Sequence, residues 1–118
     1  MYKIEGTTIS LVRGDSMATE LTLKRKTTGE IYTPVEGDVI RFAMKRNVLN
    51  VDRTAYIDKD PLIAKTIPIA TMLLEIEPED TKELPFGDYV YDIEITFANG
   101  DVDTFIHDAK FRILTEVE

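Results

Sequence analysis

Apolar residues recur along this chain mainly at every second position, with Gly, Pro, Asn and Asp gathered between the short runs. That is the pattern of strands with one buried face. The first run is Thr7 to Val12, closed by Arg13-Gly14-Asp15. In Ala18 to Lys24, Leu21 and Leu23 share one face while Glu20, Thr22 and Lys24 share the other. A turn-rich connection, Gly29-Glu30-Ile31-Tyr32-Thr33-Pro34, leads to Asp38 to Lys45, in which Ile40, Phe42 and Met44 point inward and Arg41, Ala43 and Lys45 outward. Residues Asn47 to Pro61 keep no period and read as a long loop with one short strand around Ala55-Tyr56-Ile57. Leu62 to Ile69 and Met72 to Ile76 are two further short strands.

The stretch from Glu77 to Thr104 is the most explicit. Pro78 suits the first helical position, Glu79 and Asp80 fall where the positive end of the helix dipole favours acids, and Pro85 stops the turn. Tyr89, Tyr91, Ile93, Ile95 and Phe97 then line one face of a central strand, with Val90, Asp92, Glu94 and Thr96 on the other. Asn99-Gly100 predicts a type I′ hairpin, whose two central positions need positive φ. Asp101 to Ile106 follows as its antiparallel partner, and Lys110 to Thr115 as a last strand with Phe111 and Ile113 on the core side. A helical turn, a corner and a tyrosine-led strand predict an all-β fold: an immunoglobulin-like antiparallel β-sandwich of about 7–8 strands, with one short helical turn near residues 78–84. Tyr89 is expected to send its hydroxyl back to the backbone of the preceding corner.

A chain of 118 residues has the size of one domain spanning 1–118, with room for a core. The longest apolar runs are a few residues, too short to span a membrane. The N-terminal residues Met1 to Gly6 lack the apolar segment of a secretory signal. Cysteine is absent, which excludes disulfides and thiolate metal sites and fits synthesis in a reducing cytoplasm. The net charge of -8 is uneven: residues 1–59 hold 10 basic and 8 acidic side chains, residues 60–118 hold 4 and 14. So acidic a second half repels phosphate backbones, and nucleic-acid binding is not expected. The basic run Lys24-Arg25-Lys26, followed by Thr27-Thr28-Gly29, reads as a solvated hairpin tip.

Chemistry-bearing residues are few. The single histidine, His107, stands beside Asp108 at a strand end and reads as a turn residue rather than a general base. Asp58-Lys59-Asp60 and Asp101-Val102-Asp103 offer oxygen ligands for calcium, but neither has the glycine and distal glutamate of an EF-hand loop. Arg13-Gly14-Asp15-Ser16 contains the tripeptide read by integrins, and reads more simply as the turn after the first strand. No catalytic, cofactor-binding or metal-ligating residue is assigned, and no cofactor is expected.

Several segments line up with one family: Arg13-Gly14-Asp15-Ser16; Val35-Glu36-Gly37-Asp38-Val39-Ile40-Arg41-Phe42-Ala43-Met44-Lys45; Glu79-Asp80-Thr81; Gly87-Asp88-Tyr89-Val90-Tyr91-Asp92-Ile93; and Asn99-Gly100 to Thr104. Together they resemble the immunoglobulin-like N-terminal domain of phage baseplate upper proteins and related small tail proteins of phages and prophages. The family often has Gly just before the last strand, where this chain has Asp108-Ala109-Lys110-Phe111. The resemblance implies a non-enzymatic structural component of a tail or baseplate, located in the virion after synthesis in the host cytoplasm. Its partners would be other tail proteins, or further copies joined through an edge strand. Receptor binding, which belongs to segments that follow such domains, is not carried over. The alternative is a carbohydrate-binding or adhesin-type module, with Tyr32 and Tyr56 as stacking residues.

Overall fold

The computed structural model describes residues 2–25, 28–46 and 62–115. Strands β1 (Tyr2–Glu5), β2 (Thr8–Val12), β3 (Met17–Glu20), β4 (Leu23–Lys24), β5 (Ile31–Tyr32), β6 (Val39–Arg46), β7 (Ile63–Ile67) and β8 (Leu73–Ile76) precede the single turn of helix α1 (Pro78–Thr81), and β9 (Gly87–Thr96) and β10 (Val102–Leu114) follow it. The fold is all-β, as the alternation predicts. A six-stranded sheet runs in the order β1-β2-β10-β9-β6-β7, and two-stranded sheets β3-β8 and β4-β5 complete it. Met17 of β3, Leu23 of β4, and Leu74 and Ile76 of β8 join Leu11, Ile40, Phe42, Ile93 and Phe111 of the large sheet in one hydrophobic cluster. The small sheets thus cover the face of the large one that the period-two residues present, while charged and polar side chains occupy its outer face.

The large sheet is mixed, not purely antiparallel: β10 runs parallel to β2, pairing Phe111 with Ile9 and Ile113 with Leu11. Alternation reports which face of a strand is buried and carries nothing about the direction of its neighbour. Ten strands form among the described residues, against the 7–8 expected. The run 18–24 divides because its partners change: Met17 to Glu20 pair with β8 and Leu23-Lys24 with β5, and Leu21 N–H bridges to the Met72 carbonyl at 2.7 Å. The connection 29–34 contains β5 for the same reason. β1 is an unpredicted strand, folded onto β2 through Gly6-Thr7, with Glu5 opposite Thr8 and Gly6 at φ +60°. The long loop 47–61, with its strand at 55–57, lies outside the described residues.

The corner forms as expected. Glu77 N–H donates to Asp80 Oδ2 (2.8 Å) at the start of α1, and the Tyr89 hydroxyl donates to the Pro85 carbonyl (2.6 Å). The Asn99-Gly100 hairpin forms with a different turn. Phe97 N–H donates to the Asp101 carbonyl, Gly100 N–H donates to the Phe97 carbonyl, and of the loop residues only Gly100 takes positive φ (+95°). This is a three-residue loop ending in a left-handed glycine, and the Asn99 side chain accepts from Asp101 N–H (2.9 Å) instead of entering the left-handed region.

The two expected strands 101–106 and 110–115 are one strand, β10, with the pairing to β9 shifted twice. Thr104 faces Glu94 but Ile106 faces Ile93, and Ala109 faces Tyr91. Each shift accommodates one extra residue on β10, the signature of a β-bulge. Asp108 stands in the bulge at φ +51°, and its N–H donates to Asp92 Oδ1 (2.7 Å). Aspartate tolerates that conformation better than most residues, so the bulge forms here without a glycine.

Candidate functional site

Three places gather polar or exposed groups that the core does not explain. The first is the free edge of the large sheet at β1. Tyr2 and Ile4 stand opposite the buried Leu11 and Ile9, so they continue the core face to the rim, where they remain 41% and 38% exposed. Lys3 and Glu5 lie on the other face and pair at 2.6 Å. The Tyr2 hydroxyl donates to the Ala18 carbonyl (2.8 Å), fastening the edge to β3. Among the described residues β1 pairs with β2 alone, and an outer backbone without a ladder leaves a strand able to accept another.

The second is a polar knot at one end of the sheets. Asp38 is buried, 7% exposed, and its carboxylate accepts from the Tyr32 hydroxyl (2.6 Å), Val35 N–H (3.0 Å) and Ala98 N–H (3.2 Å). The Tyr32 bond, helped by those backbone bonds, holds the Asp38 carboxyl below its usual range, and the same bond raises the Tyr32 phenol. The Tyr32 ring meets Phe97 edge-on (centroids 5.5 Å), lies near-parallel to Phe105 (6.2 Å), and has the Arg25 guanidinium over it at 4.9 Å. Tyr32 is therefore a packed member of an aromatic cluster and not an open platform. Tyr56, the other candidate for stacking, lies outside the described residues.

The third is the β10 bulge. Asp92 projects from the outer face of β9, between the buried Tyr91 and Ile93, and the bulge brings His107 and Asp108 beside it. The imidazole lies between two carboxylates, Nδ1 3.3 Å from Asp92 Oδ1 and Nε2 3.3 Å from Asp108 Oδ2. One ligand atom from each of the three residues lies within 4.8 Å of the others. His107 thus sits on a bulged strand and not at a strand end. Asp92 goes unnoticed in the sequence because it appears there only as one polar residue on the wet face of a strand.

The remaining sequence candidates are placed as follows. Asp101 belongs to the hairpin, its carboxylate taking the Asn99 amide (3.3 Å); Asp101 and Asp103 join no group of three ligands among the described residues. Asp58-Lys59-Asp60 lies outside them. The Arg13-Gly14-Asp15 turn is docked against α1: Gly14 N–H donates to Thr81 Oγ1 (2.9 Å), and the Arg13 guanidinium lies 4.0 Å over the Phe86 ring and donates to the Leu84 carbonyl (3.4 Å). An arginine held in this way is part of the corner's packing. Of the basic run, Lys24 belongs to β4, Arg25 N–H donates to the Glu30 carbonyl (2.8 Å), and Lys26 lies outside the described residues. No described helix is long and apolar enough to cross a membrane. In the comparisons with known proteins, no family model, no curated protein and no solved structure matches this chain.

Proposed function

We propose that this chain is a non-enzymatic assembly module of a phage or prophage tail or baseplate, an immunoglobulin-like domain acting through contacts with other tail proteins or with copies of itself. The observation that carries the reading is the β1 edge: four consecutive exposed residues in strand conformation, paired among the described residues on one side only. Such an edge adds a neighbour's strand by main-chain hydrogen bonds, and the half-exposed Tyr2 and Ile4 supply apolar area beside it. Further support comes from the sequence segments that resemble those of baseplate upper proteins, and from the tyrosine corner at Tyr89. The protein in this reading is made in the host cytoplasm and ends in the virion, and binds neither nucleic acid nor membrane. The sugar-binding alternative has less to stand on, because Tyr32 is enclosed by Phe97, Phe105 and Arg25.

The test is a pull-down with tagged protein from an induced lysogen or infected culture, bound proteins being identified by mass spectrometry. Recovery of tail or baseplate proteins, weakened by Ile4→Lys on the free edge, is the expected result. Binding to cell-wall polysaccharide with no tail protein recovered would overturn the reading.

A further inference from the structure

We propose that Asp92, His107 and Asp108 form a binding site for a divalent transition-metal ion on the outer face of the large sheet. The donor set is one imidazole and two carboxylates, the ligand chemistry of zinc, cobalt or nickel rather than of calcium or magnesium, which take oxygen alone. Two bonds of about 2.0–2.1 Å to one tetrahedral ion hold their donors roughly 3.3–3.4 Å apart. The 3.3 Å between His107 Nδ1 and Asp92 Oδ1 is already that separation. An ion seated there uses one ring nitrogen and Asp92. The Asp108 carboxylate lies against the other ring nitrogen, Nε2, and is exposed, so it becomes the third ligand by rotating its side chain towards the ion.

The electrostatics favour a cation at this spot. The group holds two carboxylates, and among the described residues no Lys or Arg pairs with either. Asp92 is also held before any ion arrives. Asp92 stands on a strand whose neighbours in sequence are core residues, and its Oδ1 accepts Asp108 N–H at 2.7 Å, which ties it to the bulge. Rigid supporting backbone and a hydrogen bond to the ligating carboxylate are what hold first ligands in place in metal sites. The open coordination positions face solvent, so a water or a side chain of a bound partner completes the shell. This inference does not rest on the assembly reading.

Untagged full chain, free of polyhistidine, is titrated with Zn²⁺ by calorimetry and with Co²⁺ by visible absorption. The expected result is one ion per chain, with binding weakened about tenfold or more in His107→Ala and in Asp92→Asn. Asp92→Asn keeps an oxygen for the Asp108 N–H, and His107 is 65% exposed, so both variants retain the fold, checked by circular dichroism. Calcium in excess is expected to leave the cobalt spectrum unchanged. Absence of saturable binding, equal binding by the parent and both variants, or displacement of cobalt by calcium would each overturn the proposal.

Discussion

A single carboxylate, that of Asp38, ties β5, the 35–38 turn and the β9–β10 hairpin together, through Tyr32, Val35 and Ala98. Its pKa in the folded chain lies below the ordinary 3.8, chiefly because of the Tyr32 hydroxyl. The folded value is the lower one, so the stability it contributes is complete above about pH 4 and is lost as the pH falls through the depressed value. Melting temperatures taken between about pH 6 and about pH 2 should therefore fall more steeply in the parent than in Asp38→Asn. Tyr91 gives the opposite limb. Its hydroxyl donates to the Thr7 carbonyl, and burial pushes its pKa up to about 12. A folded value above the ordinary 10 means that stability present below pH 10 is lost as the pH rises towards 12. Tyr91→Phe should shrink that alkaline loss, without removing it, because Tyr32 and Tyr89 shift the same way. The variant should also cost about 1 kcal/mol at neutral pH through the lost hydrogen bond, measured by urea unfolding.

At the scale of elements, the turns and bulges decide what residues the strands can carry. Gly37 has φ +97°, and a Cβ there would stand 2.8 Å from the Ala98 Cβ. Gly37→Ala should destabilise by about 1–3 kcal/mol, and adding Ala98→Gly should recover only the contact and not the backbone strain, which a double-mutant cycle in urea would separate. The β10 bulge makes a second test. Since Asp108 stands at φ +51°, Asp108→Gly should keep the fold while Asp108→Val loses ~1–2 kcal/mol relative to it, read from denaturant midpoints. Docking of the Arg13-Gly14-Asp15 turn depends on the buried Thr81: Thr81→Val leaves Gly14 N–H without its acceptor and should cost about 1–3 kcal/mol, with the corner at Tyr89 otherwise intact.

For the whole molecule, the sheet order β1-β2-β10-β9-β6-β7 interleaves strands from the basic first half with strands from the acidic second half. Arg41 stands opposite Glu94, for example, so the charge asymmetry along the chain is largely mixed on the sheet surface. The assembly contact proposed for the β1 backbone should accordingly resist salt, and a low-to-high salt series on the complex recovered in the pull-down checks this. Much of the architecture was legible without coordinates. Alternation alone determined that Ile40, Phe42, Met44, Tyr91, Ile93 and Ile95 form the core and that the fold is all-β, because burial on one face is a local, period-two property. The tyrosine corner was legible too, since Pro85 and Tyr89 lie four residues apart. Pairing was not: the parallel contact of β2 with β10, the division of the run 18–24 between two partners, and β1 at the rim depend on residues far apart in the chain. Nor was the group at the bulge. Asp92 and His107 are separated by a hairpin, and two extra residues absorbed by β10 set which of its side chains meets Asp92, a choice made by the register of two packed strands and written in neither one alone.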